Sequence, residues 1–258
     1  LKKEGMDGMK VHVFDTPEQL AAEAANRGVE LLRKAVKDKG SARVMLSTGA
    51  SQFGTIAALV ASDMDWSKVE MFHLDEYVDL PESHPASFRK YLKERFTSKV
   101  CLKKAHFVGW EGDLDQNIRA LSDEIRKAPI DVGFIGIGEN AHIAFNDPPA
   151  DFDTTEAFIV VTLDDACRRQ QTGEGWFPDV SAVPARAITA SVHQIMQCRN
   201  IISCVPFAVK ADAIRKTLSE SVSNRVPASI LRHHPDVAIF LDKASASLVD
   251  ASLLAKFA

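Results

Sequence analysis

The sequence has no apolar run long enough to cross a membrane. Its longest apolar stretches, such as residues 132–137, fall far short of the roughly 18 residues that a membrane span needs. The first ten residues are charged and contain glycine, which excludes the apolar core of a secretory signal peptide. We therefore expect no membrane partner and a cytoplasmic location.

Excess positive charge is also missing. Of 258 residues, 31 are Lys or Arg and 35 are Asp or Glu, which gives a formal net charge of −4. Nucleic-acid-binding domains usually carry a basic surface, so we expect no nucleic-acid partner. An anionic ligand must then be bound by a local group of donors, because the field of the whole protein does not attract it.

Cysteine is scarce and shows no metal-binding pattern. The four cysteines contain no C-x-x-C pair, so we expect reduced thiols and no metal site. The adjacent residues His233 and His234 point in different directions on any regular element. We interpret them as structural or surface residues rather than as metal ligands.

Short apolar runs alternate with longer helical patterns along the whole chain, and no linker, repeat or low-complexity tract interrupts them. This alternation predicts an α/β fold with a single doubly wound, mostly parallel sheet and helices on both faces, a modified Rossmann-like arrangement. We expect one domain over residues 9–258, preceded by a loose N-terminus at 1–8. The predicted strands are 11–14, 43–47, 69–74, 105–108, 131–137, 158–162, 187–192, 201–205 and 237–241.

The first helix has clear start and stop signals. Thr16 is a predicted N-cap with Pro17 at the first helical position and Gln19 completing a capping box, and Gly40 ends the helix. Apolar spacing predicts a helix that follows residues 48–51 and ends at residue 60, and further helices at 84–96, 114–127 and 208–219.

Polar segments follow three of the predicted strands, where an open parallel sheet binds its ligands. Residues 47–51 (Ser-Thr-Gly-Ala-Ser) supply hydroxyls and backbone N–H groups before a helix, which suits a phosphate, although an ordinary turn has the same composition. Asp75 is a candidate base for a proton next to a carbonyl, or else it begins a solvated loop together with Glu76. His142, beside Asp147, is a candidate for proton exchange, because histidine is the side chain suited to that role near neutral pH, or else it is a hydrogen-bonded core residue.

Longer blocks of sequence carry a family resemblance. Residues 72–77 (Phe-His-Leu-Asp-Glu-Tyr), 80–87 (Leu-Pro-Glu-Ser-His-Pro-Ala-Ser) and 136–148 are together similar to the glucosamine-6-phosphate deaminase family, also called isomerases. The resemblance extends from the loop at 47–51 to the region of Lys210. The related 6-phosphogluconolactonases share the fold and the glycine–histidine segment, but usually continue it differently from His-Ile-Ala-Phe-Asn-Asp-Pro.

The resemblance implies that an amino-sugar 6-phosphate and water give fructose 6-phosphate and ammonia, with no metal or organic cofactor. Asp75 matches the base that moves a proton between C2 and C1, and His142 matches the residue that helps to open the pyranose ring. Asn140 and Asp147 match the acidic partners of that histidine. The implied substrate and phosphate contacts are Ser47, Thr48, Gly49, Ala50, Ser51, Gly138, Lys210 and one of Arg168 or Arg169.

Three replacements within the matching block have structural consequences. Asn140 stands where the family has an acidic residue, so it can orient His142 by a hydrogen bond but cannot stabilise an imidazolium as a carboxylate does. Ala141 stands where the family usually has Gly, so the backbone there either avoids positive φ or is strained. Asp147 is one methylene shorter than Glu, so it must approach His142 more closely or act through water. Residues 173–176 (Gly-Glu-Gly-Trp) are an alternative candidate for a mobile lid.

Glucosamine 6-phosphate deamination is the leading functional hypothesis, and two alternatives stay open. A 6-phosphogluconolactonase would use His142 to activate water and would not need Asp75. A catalytically weak sugar-phosphate sensor would bind the same ligand with negligible turnover. The expected partner is a small-molecule amino-sugar phosphate, and the sequence also permits a homo-oligomer.

Overall fold

The computed structural model describes residues 8–173 and 175–257, and within them two β-sheets. The larger sheet has the strand order β1-β10-β9-β6-β2-β3-β5 with every neighbouring pair parallel, and the smaller is an antiparallel sheet of order β4-β8-β7. The strands are β1 (Met9–Phe14), β2 (Ala42–Leu46), β3 (Val69–His73), β4 (Asp75–Tyr77), β5 (Lys104–His106), β6 (Val132–Phe134), β7 (Phe158–Thr162), β8 (Arg186–Ala190), β9 (Asn200–Val205) and β10 (Val237–Asp242).

Helices cover the larger sheet, and the first confirms its predicted signals. The Thr16 side chain accepts a hydrogen bond from the Gln19 N–H, and Gly40 ends the helix with φ +80°. Among the described residues, no helix combines the length and apolar character that a bilayer crossing requires. The α-helices are α1 (Pro17–Lys39), α2 (Phe53–Ala61), α3 (Phe88–Leu92), α4 (Leu114–Arg126), α5 (Asp165–Gly173), α6 (Val192–Met196), α7 (Ala211–Ser219) and α8 (Ala251–Leu254).

Both faces of the larger sheet are buried, because neighbouring residues on a strand point to opposite sides. Val44 packs in the apolar cluster that contains residues of α1 and α2, whereas Met45 packs in the cluster that contains residues of α4, α6 and α7. The apolar strand predicted at 131–137 is buried as expected, although the regular strand observed there, β6, is limited to Val132–Phe134. The doubly wound parallel arrangement is therefore confirmed.

The smaller sheet corrects part of the predicted organisation. The strands predicted at 158–162 and 187–192 form, but they pair with each other antiparallel instead of joining the parallel sheet. The solvated loop considered for Asp75 and Glu76 is instead the buried strand β4, paired with β8. Apolar periodicity identifies a strand but does not specify its partner, so this second sheet was not predicted.

The helix predicted at 84–96 also begins later than expected. α3 starts at Phe88, after the N-cap Ser87, and its last turns at Lys93–Thr97 are wider than an α-helix. Residues 1–7 of the predicted loose N-terminus lie outside the described residues. Gly8, the last residue of that segment, accepts a hydrogen bond from the Val237 N–H, and a single domain over 9–258 stays a prediction.

Candidate active site

A cleft of about 620 Å³, including its open mouth, lies at the carboxyl ends of β2, β3, β6 and β9. The three polar segments identified in the sequence meet here, as expected for an open parallel sheet. The predicted residues that line the cleft are Ser47, Thr48, Gly49, Ala50, Ser51, Asp75, Gly138, His142 and Lys210.

The loop at 47–51 and Lys210 form the polar part of the wall. Gly49 has φ +94°, a conformation open to glycine but strained for other residues. The loop leads into α2, and Lys210, which is buried, directly precedes α7. Two helices therefore begin beside the cleft, and helix N-termini favour anions. Together with the lysine ammonium, they form an environment suited to a phosphate group.

Asp75 is a buried carboxylic acid at the cleft, only 5% exposed. It begins β4 and lies opposite Thr189 in the antiparallel ladder. Burial raises the pKa of Asp75 well above its usual value, and the adjacent Glu76 carboxylate raises it further. A carboxylate that is poorly stabilised in this way is a stronger base than an exposed aspartate.

Glu76 has a structural role although it directly follows Asp75. It is fully buried, and its carboxylate accepts hydrogen bonds from the Ser87 hydroxyl and from the backbone N–H groups of Tyr77, Phe88 and Arg89. The last two donors belong to the first turn of α3, whose free N–H groups need acceptors. Glu76 thus anchors α3, one of whose residues, Phe88, lines the cleft.

His142 and Asp147 form a close pair at the back of the cleft. The Nδ1 atom of His142 lies 2.9 Å from Oδ1 of Asp147, which fulfils the expectation of a direct approach by the shorter side chain. Asn140 donates from Nδ2 to the same oxygen at 3.0 Å, and its own Oδ1 accepts from the His142 backbone N–H at 3.1 Å. Asn140 therefore positions the carboxylate and the loop, and neither Asn140 nor Asp147 itself lines the cleft.

Asp147 is ionised beside His142. Burial alone would raise the pKa of Asp147, but the nearby His142 imidazole and the Asn140 amide lower the pKa below its usual value. The Cys167 thiol, which is fully buried, also donates toward this carboxylate. A negative charge held at Nδ1 stabilises a doubly protonated imidazole, so the pair suits a histidine that exchanges protons at its other nitrogen.

Gly138 provides the space that the His142 ring occupies. A Cβ atom at Gly138 would lie 2.2–2.5 Å from three atoms of the ring. The loop is closed by a hydrogen bond from the Gly138 N–H to the His142 carbonyl. Ala141 adopts φ +66°, so of the two expectations for that residue the strained backbone is the one observed.

Gly138→Ala should displace the His142 ring and lower kcat about a hundredfold, because misplacing a catalytic group by 1 Å has an effect of that order. Steady-state kinetics on the candidate substrate would measure it. Gly109→Ala is the matched control, since a Cβ there lies at ordinary contact distance, 3.5 Å from its nearest neighbour, and outside the cleft. A Gly138→Ala enzyme with unchanged kcat would contradict the assigned ring position.

Arg168 does not line the cleft. Its guanidinium donates to the backbone carbonyls of Val180 and Val183, which stabilises the turn after α5. Arg169 is exposed and is also absent from the cleft wall. A substrate-binding role for either arginine stays a prediction without geometric support.

Sequence analysis missed the contribution of α5 to the cleft. Gln170 and Gln171 line it, and Gln171 Oε1 accepts a hydrogen bond from the Tyr77 hydroxyl at 2.8 Å. The sequence signal was weak, since the segment reads as a polar turn rich in Arg and Gln. The candidate lid at 173–176 includes Glu174, which lies outside the described residues.

Comparison with known proteins agrees with this geometry. The family profile described as "Glucosamine-6-phosphate isomerases/6-phosphogluconolactonase" matches residues 15–239. The chain belongs to this family. A glucosamine-6-phosphate deaminase of Thermoanaerobacter pseudethanolicus is 33% identical over 249 residues, 93% of this chain and 95% of that protein. One from Bacillus thuringiensis is 30% identical over 246 residues, 95% of this chain and 91% of that protein.

Solved structures of the family also superpose well. A monomeric glucosamine-6-phosphate deaminase has a TM-score of 0.85 at 29% identity and covers 93% of this chain and 100% of its own. The 6-phosphogluconolactonase of Trypanosoma brucei has a TM-score of 0.78 at 17% identity, and the match covers 94% of this chain and 99% of that protein. The second likeness shows a shared fold only.

Proposed function

We propose that the protein is a glucosamine-6-phosphate deaminase, which converts glucosamine 6-phosphate and water into fructose 6-phosphate and ammonia. The observation that carries the proposal is that Asp75 and His142 line one cleft together with the loop at 47–51 and Lys210. Aldose–ketose isomerisation needs a base for a carbon-bound proton and a second group for the ring oxygen. The similarity to deaminases at about 30% identity supports the same reaction.

Ring opening is the first chemical step, and His142 is assigned to it. The imidazole takes the proton of the C1 hydroxyl and supplies a proton to the ring oxygen as the bond between C1 and that oxygen breaks. Asp147 beside Nδ1 stabilises the charged imidazole between the two transfers. Gly138 leaves the ring free to sit against the loop.

Asp75 then carries the proton from C2 to C1. Its carboxylate removes the C2 proton while the C1 carbonyl oxygen takes up a proton from solvent, which gives an enolamine. The protonated Asp75 then gives its proton to C1, and the nitrogen releases one to solvent as an imine forms at C2. Water adds to that imine, and ammonia leaves as the C2 carbonyl of fructose 6-phosphate forms. The raised pKa of Asp75, caused first by burial, favours the uptake of the C2 proton.

Lys210 is assigned to the phosphate group. Lys210→Met should raise KM about 10–100-fold with a smaller effect on kcat, because a charge-assisted hydrogen bond contributes about 1.5–3 kcal/mol. Lys216→Met is the control, since Lys216 lies on α7 in a surface ion pair with Asp212. Equal KM values for the two variants would show that Lys210 does not bind the phosphate group.

The deciding experiment follows ammonia and fructose 6-phosphate with purified protein and glucosamine 6-phosphate, and repeats the assay with galactosamine 6-phosphate. We expect equal amounts of the two products, and turnover that is at least about a hundredfold slower in Asp75→Asn. Hydrolysis of 6-phosphogluconolactone that survives Asp75→Asn would instead support the lactonase alternative. Tight binding of the amino-sugar phosphate without turnover would support the sensor.

A further inference from the structure

A group of three potential metal ligands lies at the back of the cleft, and the proposed reaction uses only two of them. The ligand atoms of His142, Asp147 and Cys167 all lie within 4.8 Å of one another. Within residues 8–173 and 175–257, no other group of three His, Cys, Asp or Glu side chains meets that distance. Cys167 is fully buried, so its thiol is directed into the protein rather than toward bulk solvent.

Unsatisfied polar atoms within the cluster are a second, independent observation. Oδ2 of Asp147 is buried and has no hydrogen-bond partner of normal geometry, and Nδ1 of His142, also buried, has only its ion-pair contact with Oδ1 at 2.9 Å. Buried polar atoms without partners are uncommon in folded proteins, and a bound ion is one physical reason for them. Both atoms are also of a kind that coordinates metal ions.

We propose that His142, Asp147 and Cys167 bind one Zn²⁺ ion and that the bound ion inhibits the enzyme. Imidazole nitrogen, carboxylate oxygen and thiolate sulfur are the three ligand types that zinc prefers in proteins. On binding, a zinc–sulfur bond forms, the thiol S–H bond breaks, and its proton passes to solvent. No electron is transferred, because zinc has no redox chemistry.

The distances are compatible with a zinc site after small side-chain rotations. Tetrahedral zinc with bonds of about 2.0–2.3 Å places its ligand atoms roughly 3.4–3.7 Å apart. In the cluster, the Nδ1–Oδ1 separation is 2.9 Å and no separation exceeds 4.8 Å, so each ligand atom is within about an ångström of that spacing or needs only a small movement to reach it. Three protein ligands leave a fourth position for water.

Inhibition follows from the role of His142, and this part rests on the proposed function. Zinc on Nδ1 occupies the position at which the imidazole holds its second proton beside Asp147. The ring then cannot become doubly protonated, so it cannot pass a proton between the C1 hydroxyl and the ring oxygen. Asp75 is not one of the three ligands, and zinc should act on ring opening without changing the fold.

Equilibrium dialysis of tag-free, chelator-treated protein against ZnCl₂ tests the binding itself. We expect one tightly bound ion per chain, and at least about tenfold weaker binding in Cys167→Ser, since the loss of even an outer-shell partner weakens metal affinity 10–100-fold. Serine retains a donor toward Asp147 but lacks the thiolate. Cys101→Ser is the control, because Cys101 is exposed and is not one of the three ligands, and this variant should bind zinc as the wild type does.

Two further readouts separate this proposal from the proposed function. Co²⁺ in place of Zn²⁺ should give a thiolate-to-cobalt charge-transfer band that Cys167→Ser lacks, whether or not the protein deaminates sugars. Zinc should inhibit deaminase turnover reversibly, with at least tenfold more required for Cys167→Ser. If that variant does not fold, Asp147→Asn provides the same binding test. No zinc binding, or equal affinity in wild type and variant, would overturn the site, and bound zinc without inhibition would overturn its effect.

Discussion

Asp75→Asn should lower kcat by about 10²–10⁴ while it raises the free energy of unfolding at neutral pH. General-base catalysis typically contributes a factor of that size, and asparagine cannot accept the C2 proton. The gain in stability comes from removing a buried charge, because burial and Glu76 both raise the pKa of Asp75 and so make its ionised form costly. Asparagine occupies nearly the same volume without a charge to bury.

The pH dependence of both effects follows from the raised pKa of Asp75. The ordinary pKa of an aspartate is 3.8. As pH is lowered, kcat/KM should begin to fall at a higher pH than it would with an exposed aspartate as the base, because the Asp75 carboxylate becomes protonated earlier. The unfolded state loses its proton near the ordinary value. The extra stability of Asp75→Asn should therefore grow as pH rises from that value to the raised pKa, and then stay constant.

Denaturant unfolding and steady-state kinetics on the same preparations would measure these changes. Asp79→Asn is the matched control, because Asp79 lies just after β4 with a side chain that is 70% exposed. It should alter neither kcat nor the pH profile. An Asp75→Asn enzyme with at least a tenth of wild-type kcat would exclude Asp75 as the proton carrier.

Much of the cleft could be predicted because it depends on local sequence signals. Polar residues after a buried parallel strand lie at the carboxyl edge of the sheet whichever strands are neighbours. Asp75, His142 and the loop at 47–51 therefore reach one cleft, although the sequence does not specify the strand order. The capping residues of α1 were likewise readable, because an N-cap and a terminal glycine act within one helical turn.

The features that sequence analysis missed all depend on contacts between distant segments. The antiparallel pairing of β4 with β8 joins residues more than a hundred positions apart. Cys167 reaches Asp147 only because α5 packs behind the cleft, and no spacing pattern links the two residues. Gln171 is fixed by the Tyr77 hydroxyl, a partner on another element. Such contacts follow from tertiary packing, which composition and periodicity do not encode.

The contrast between Asp75 and Glu76 explains how one pair of adjacent acids serves two purposes. Successive residues on a strand point to opposite sides, so β4 presents Asp75 to the cleft and directs Glu76 toward α3. Among the residues that the structure describes, none is seen to donate a hydrogen bond to the Asp75 carboxylate, and its raised pKa makes it a strong base. Both carboxylate oxygens of Glu76 accept hydrogen bonds, and these bonds hold α3, which contributes Phe88 to the cleft wall, in place.

Glu76→Ala should lower the free energy of unfolding by about 3–5 kcal/mol, the range for removing one partner of a buried, hydrogen-bonded ion pair. The change leaves the N–H groups of Phe88 and Arg89 and the Ser87 hydroxyl without their acceptor, and removes the carboxylate 3.6 Å from Arg89 Nε. Urea unfolding followed by circular dichroism would measure the loss.

Glu76→Gln separates the structural role of Glu76 from its electrostatic effect on Asp75. Glutamine keeps one acceptor oxygen, so its loss of stability should be smaller than that of alanine. Because the Glu76 charge helps to raise the pKa of Asp75, the glutamine variant should also move the acidic limb of kcat/KM to lower pH. Glu82→Gln, at an exposed ion pair with Lys93, is the control. Equal stability of Glu76→Ala and wild type would show that α3 does not depend on this carboxylate.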